Sequence, residues 1–305
     1  MKILLTDGGE LLRRRMISSA RRKAVSFSGL KFFYKGRIMG KYAVPGEVMY
    51  HTGLTKEMTE GAEYVLLPGD PGRVPGLAKG LSPEAKPVCS HRDFTTWIAR
   101  LNGHPVLVMS SGMGGPCVTF AVEELARLGL KYFIRVGTTG SIREDLNPGE
   151  LVINEGAVRC DGASLAYAPR SFPAAADMRM TLALQEAARM LKIPFQTGIS
   201  VSTDSFWPGQ ERYDSFGGYV RRALRDSAAE YRALGCTNFE MENATLFTLC
   251  RVLGLHAASV CAVVAKRTDS EAIVPHEIYE LAEERFQKTV RLALKMLLSR
   301  FMVSL

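Results

Sequence analysis

An amide and a guanidinium stand two residues apart in Phe206-Trp207-Pro208-Gly209-Gln210-Glu211-Arg212, just past a Pro-Gly turn. A Gln side chain ends in a donor and an acceptor, and Arg carries donors only. The pair suits a ring edge that offers one N–H between two carbonyl oxygens. Gln210 accepts from the N–H and donates to one carbonyl, Arg212 donates to the other, and Phe206 lies against the ring face. Uracil has that edge, N3–H between O2 and O4, and a purine fits it badly. For so short a motif the plain alternative is a polar surface loop.

Four further segments carry compatible chemistry. Gly69-Asp70-Pro71-Gly72-Arg73 follows a strand-like run. Glycine lets the backbone approach an anion, and Arg offers it paired donors. Arg135 closes the apolar run Tyr132-Phe133-Ile134, ahead of Val136-Gly137-Thr138-Thr139-Gly140. A charge there is costly to bury without a partner, which implies either a bound anion or an ion pair with a carboxylate. In Glu240-Met241-Glu242 a carboxylate can accept two hydrogen bonds from a vicinal diol, and the thioether can pack under a sugar. The alternative is a pair of acids favoured at a helix start by the macrodipole, a reading better suited to Glu240 than to Glu242. Val264-Ala265-Lys266-Arg267-Thr268 ends a strand-like run.

In this order and spacing the five segments resemble the uridine phosphorylases of the nucleoside phosphorylase-I superfamily, from about His51 to the C-terminal helix. The resemblance implies a three-layer α/β/α fold with a mixed, partly barrel-like central sheet. It implies a pentosyltransferase that exchanges the base of uridine for inorganic phosphate, in pyrimidine salvage, with no organic cofactor. Residues matching Gly69, Arg73, Arg135 and Thr138 bind phosphate in that family. The arginine matching Arg92 reaches the phosphate of a neighbouring subunit, and the histidine matching His51 reaches the nucleoside 5′-hydroxyl there. Glu242 holds the ribose 2′- and 3′-hydroxyls beside Glu240 and Met241, Val264 lines the base pocket, and Arg267 lies near the uracil. Two cross-subunit residues require at least a dimer, and the family implies a hexamer of three dimers. A potassium ion at the dimer interface is implied at Asp93, where a longer Glu is usual, with Cys117 matching a serine ligand and Met113 contributing backbone. Lys266 replaces an asparagine, and Ala265 is smaller than the usual branched residue. Asp269 is displaced from the place where purine-binding relatives carry an aspartate for N7.

Composition narrows the alternatives. The formal charge of +8 is concentrated: residues 1–45 hold 11 of the 39 basic and 2 of the 31 acidic residues, which leaves 28 against 29 for the rest. A nearly neutral body argues against a nucleic-acid surface. Six scattered cysteines with no C-x-x-C and no zinc spacing suit a reducing, cytoplasmic setting. No apolar run is long enough for a membrane span. Gly112-Met113-Gly114 lacks the third glycine of a dinucleotide fingerprint, and no Walker lysine follows. The basic segment 1–45 is expected to be a disordered or non-native extension, with Met16, Met39 and Met49 as later candidate starts; its Arg- and Ser-rich make-up also fits a transit peptide. Rival readings are a purine nucleoside phosphorylase or nucleosidase of the same fold, and a noncatalytic nucleoside-binding protein.

The positioning elements follow from periodicity. Strands are predicted at 63–67, 132–136, 150–154, 198–201 and 257–264, with Gly137-Thr138-Thr139-Gly140 as a turn. Strands at 95–101 and 105–109 are joined by the hairpin signal Asn102-Gly103. Helices are predicted at 118–128, with Glu123 and Glu124 outward, and at 180–191, 244–253 and 275–298. This alternation implies one α/β domain, residues 46–305, around a mostly parallel sheet.

Overall fold

The computed structural model describes residues 33–34, 37–38, 41–270 and 272–299. The chain divides into two units, Met1–Met39 and Gly40–Leu305. In the first, β1 (Phe33–Tyr34) pairs antiparallel with β2 (Arg37–Ile38). The expectation of a disordered extension, and the Arg- and Ser-rich motifs behind it, otherwise lie outside the described residues.

The second unit is a ten-stranded mixed sheet with helices on both sides. β3 (Tyr64–Leu67), β7 (Tyr132–Ser141) and β12 (His256–Lys266) form its parallel centre. Their near-continuous apolar runs suit strands covered on both faces. Burial alternates with the pleat. Leu66, Ile134 and Val260 face helices α1 (Val74–Leu81), α3 (Met178–Met190) and α6 (His276–Leu298). Val65, Leu67 and Phe133 face α2 (Gly115–Leu128) and α5 (Asn243–Leu253). Three α/β/α layers result. On one side of β3 the sheet runs out through β6 (His104–Met109), β5 (Phe94–Leu101) and β4 (Lys86–His91). Asn102 and Gly103, at φ 51° and 81°, make the tight β5–β6 turn.

On the other side the sheet closes on itself. β7 pairs with β12, β12 with β8 (Leu151–Cys160), β8 with β10 (Phe195–Thr203), β10 with β11 (Cys236–Glu240), and β11 returns antiparallel to Gly140 and Ser141 of β7. These five strands form a barrel. β7 can belong to both parts because its first half pairs with β3 and its last two residues with β11. A two-residue β9 (Ala174–Ala175) joins the edge of β8, and a short α4 (Ser227–Ala233) precedes β11.

Two expectations need correction. Gly137-Thr138-Thr139-Gly140 is not a turn: these residues continue β7, paired to Cys261, Ala262, Val263 and Ala265. Cross-strand pairing overrides the local glycine signal. Glu124 does not face outward. Its carboxylate accepts from the backbone N–H groups of His51 (2.9 Å) and Thr52 (2.8 Å) and bonds His51 Nδ1 at 2.7 Å. Burial opposes its charge, but these donors prevail and hold the carboxyl below its ordinary value of 4.5. A depressed carboxyl stabilises the fold above that value and loses the contribution as pH falls through it. Glu124→Ala strands two amides and is expected to cost about 3 kcal/mol at neutral pH, with a smaller difference from the parent in urea unfolding near pH 4.

Candidate active site

β7 runs along one cavity of about 240 Å³, just under the range of about 300–1,000 Å³ usual for small-molecule clefts. Arg135, Gly137, Thr138, Thr139 and Gly140 all line it. At a strand rise near 3.3 Å per residue, Arg135 and Gly140 lie about 16 Å apart along the strand, which gives the cleft two chemically different ends.

At the first end sits Arg135, 6% exposed. It is placed mid-strand, and its Nη2 is ion-paired with Glu242 while its Nε lies 3.5 Å from Glu240. The carboxylate partner that the sequence left as an alternative is therefore present. Burial works against the cation, yet the two acids outweigh it and keep Arg135 charged. Burial pushes the Glu242 carboxyl up, with Arg135 opposing. Gly137 has a steric reason: a Cβ there would fall 2.8 Å from the Arg135 guanidinium carbon, which folds against that backbone.

Glu240 and Glu242 are not equivalent. Glu240 Oε1 accepts from Ser200 Oγ (3.1 Å) and Ser202 Oγ, and its Oε2 from the N–H groups of Glu242 and Asn243, both at 2.8 Å. Those bonds occupy its lone pairs, so Glu240 is a strut that caps α5 and fixes the backbone of Glu242. Glu242 Oε1 accepts from Gly114 N–H at 2.7 Å, and the Met241 backbone also donates to this carboxylate. Both Glu242 oxygens retain accepting capacity toward the cleft that Glu242 lines.

At the second end a single 3₁₀ turn (Pro208–Gln210) and a left-handed Glu211 (φ 54°) bring Gln210 and Arg212 to the cleft. They are 3% and 2% exposed, unlike a surface loop. The Arg212 guanidinium stacks on Phe206 at 4.2 Å, and its Nη2 lies 3.7 Å from where a Gly140 Cβ would stand. Phe206 thus backs Arg212 while also lining the cleft. Glu211 escaped notice in the sequence, yet its carboxylate accepts from the Asp226 and Ala228 amides and pins this loop to the start of α4. Arg267 does not line the cavity. It lies behind Gly140, donates to the Glu211 carbonyl at 3.3 Å and approaches the Phe239 ring at 5.7 Å.

Between the ends, Met241, Val264 and Ala265 give an apolar wall, joined by Ile273, which sequence motifs did not signal. Gly69, Asp70 and Arg73 complete the first end; Asp70 accepts from Gly72 N–H at 2.8 Å and sets the loop.

The sequence profile of the phosphorylase superfamily matches residues 63–298. This chain belongs to the phosphorylase superfamily. Uridine phosphorylase of Escherichia coli (strain K12) is 47% identical over 223 residues, covering 73% of this chain and 88% of that protein. Uridine phosphorylase of Haemophilus influenzae is 42% identical over 253 residues, covering 82% and 99%. Uridine phosphorylase of Thermococcus kodakarensis is 46% identical over 210 residues, covering 69% and 75%.

Besides Arg267, three of the residues singled out for this phosphorylase-superfamily chain, His51, Arg92 and Asp93, lie outside the cleft. His51 stacks on Phe120 at 4.1 Å, and Arg92 sits 5.0 Å over the Tyr50 ring. His91 Nδ1 bonds the His51 carbonyl at 2.9 Å and ties the two loops together. Asp93 is exposed in the Arg92-Asp93 turn between β4 and β5. Burial, with Asp93 adding to it, raises the Cys117 thiol, which stays protonated. One carboxylate and a neutral thiol are a poor donor set for a hard cation, and no group of three His, Cys, Asp or Glu gathers around a common point among the described residues. With the Met113 backbone, these are one copy's share of the interface site that the resemblance implies.

Proposed function

We propose that the protein is a uridine phosphorylase, which converts uridine and phosphate to uracil and ribose 1-phosphate. One observation carries the reading. A single cavity joins an amide–guanidinium pair, Gln210 and Arg212, to a guanidinium–carboxylate pair, Arg135 and Glu242, along one strand. Uracil edges onto the first pair, and the ribose diol hydrogen-bonds to Glu242 over Met241. Phosphate lies at Gly69, Arg73, Arg135 and Thr138, on the face of C1′ opposite the base.

Phosphate attacks C1′ as the C1′–N1 bond breaks, with inversion. The transition state carries positive charge on the sugar, as in glycoside hydrolysis. Gln210 and Arg212 stabilise the negative charge gathering on departing uracil, which needs donors already in place. Arg135 bonds Glu242 on one side and phosphate on the other, so it links the grip on ribose to the grip on the nucleophile and holds both in register. No metal or organic cofactor enters the scheme.

Charge counting supports a shared site. Arg135 is flanked by two carboxylates, so this end of the cleft needs more positive charge to hold a phosphate dianion. Arg73 supplies one cation, and we propose that Arg92 of a second copy supplies another, with His51 beside it reaching the 5′-hydroxyl. The working unit is then at least a dimer, and a hexamer follows by likeness to the family. The six cysteines are all unpaired, which favours a reducing, cytoplasmic setting. No helix among the described residues is long and apolar enough to cross a membrane.

The test is incubation of the purified protein with uridine, thymidine and inosine, each with and without phosphate. Uracil is expected only when phosphate is present, with inosine left intact. Uracil release without phosphate identifies a nucleosidase instead, and hypoxanthine release overturns the base assignment.

A further inference from the structure

Arg73 belongs to the walls of two cavities. One is the active cleft; the other, of about 350 Å³, is lined on the far side by Leu77, Tyr279, Glu283, Phe286 and Gln287. From that far side Glu283, on α6, forms an ion pair with Arg73, its Oε1 2.9 Å from Nε, with side chains 13% and 26% exposed for Arg73 and Glu283. Tyr279, one turn earlier on the same helix, places its ring 5.3 Å from the guanidinium carbon. α6 is held firmly, because Ala282, Phe286 and Val290 are fully buried in the core. The pair is therefore mounted on a rigid element, unlike an ion pair between two mobile surface side chains.

A guanidinium is planar, with five donors in fixed directions. Anchoring the Nε edge sets where the remaining edge points. Among the described residues the Arg73 Nη nitrogens donate no hydrogen bond to protein, and Arg73 lines the cleft, so its donors are available there.

We propose that Glu283 is a positioning residue for phosphate: it holds Arg73 by its Nε from behind the cleft, so that the Nη edge meets the nucleophile. This rests on the reading of Arg73 as a phosphate ligand. Neither Glu283 nor α6 touches substrate in this arrangement; the acid acts through the arginine alone.

The experiment is steady-state kinetics of Glu283→Ala, Glu283→Gln, Arg73→Ala and the double variant Arg73→Ala with Glu283→Ala. Glu283→Ala is expected to raise KM for phosphate about tenfold while KM for uridine stays within about twofold, since misaimed binding groups cost on this scale. Glu283→Gln keeps an acceptor for Nε and is expected to return phosphate KM to near the parent value. In the Arg73→Ala background, removing Glu283 is expected to change nothing further. An unchanged phosphate KM in Glu283→Ala overturns the proposal, as do additive effects in the double variant or no recovery with Gln. If Glu283→Ala does not fold, the Gln variant and phosphate titration of Arg73→Ala by calorimetry still decide it: Gln must bind phosphate like the parent. Should Arg73→Ala itself keep the parent's phosphate KM, the fault lies in the assignment of Arg73 as a phosphate ligand, and a loss there with normal Glu283→Ala sinks the positioning role alone.

Discussion

Arg135→Ala is expected to lower phosphorolysis of uridine by about a thousandfold or more, and to destabilise the fold by about 3–5 kcal/mol. The first figure follows from removing a preorganised donor that faces the nucleophile. It should exceed the loss of a lone donor, because Arg135 also holds Glu242, and with it the ribose. The second follows from leaving Glu240 and Glu242 buried within reach of each other with their common cation gone. Unfolding by urea and initial rates of uracil release at saturating phosphate would check the two separately. Part of the lost stability should return at acid pH. Burial already pushes Glu242 up, and without Arg135 its raised value disfavours the charged fold above that value, so protonation relieves the variant as pH falls. Near-parent turnover in a folded Arg135→Ala enzyme would remove the anion site from the scheme.

Gln210→Ala is expected to cost about a hundredfold in kcat/KM for uridine, with KM for phosphate little changed. The amide is 3% exposed, so its loss leaves base N–H and carbonyl groups facing a dry wall. A site built to hydrogen-bond its ligand discriminates strongly when the bond is removed. The split between the two substrates is the informative part. Gln210 and Arg135 stand at opposite ends of the β7 segment, so damage at one end need not reach the other. Equal losses for both substrates would point to collapse of the Pro208–Gln210 turn, and a rate unchanged with uridine would count against reading the base edge here. Gln210→Glu should be as poor, since a carboxylate cannot donate to O2 when ionised.

Much of this site can be seen in the linear chain because each part is local. A strand end followed by glycine, as at Gly69, implies close backbone approach wherever it falls. Gln210 and Arg212 are close enough in sequence for one turn to aim both. The misreadings share a cause. Glu124 reads as an outward helix residue because its partners, His51 and Thr52, come from a loop more than seventy positions earlier. Gly137 to Gly140 reads as a turn until β12 pairs with it. Glu240 and Glu242 already differ in the sequence reading, but Ser200, Ser202 and the first amides of α5 are what make Glu240 a strut and leave Glu242 for the cleft. Arg267 meets the pocket through the Glu211 carbonyl, 56 positions earlier, and does not line the cavity itself. Glu283 stands in no motif at all.

Sequence alone determined the chemistry available: which side chains can read a pyrimidine edge, hold a diol or grip an oxyanion, and which periodicities make an α/β fold. Those properties belong to residue types and to spacing over a few positions. The tertiary structure decided which of them converge. Closing five strands through the β7–β11 pairing brings Glu240 and Glu242 against Arg135, and the packing of α6 on β12 and α1 brings Glu283 to Arg73. The physical reason is that a charge inside a protein takes its behaviour from the partners within a few ångströms, and for Arg135 and Arg73 those partners are more than a hundred residues away.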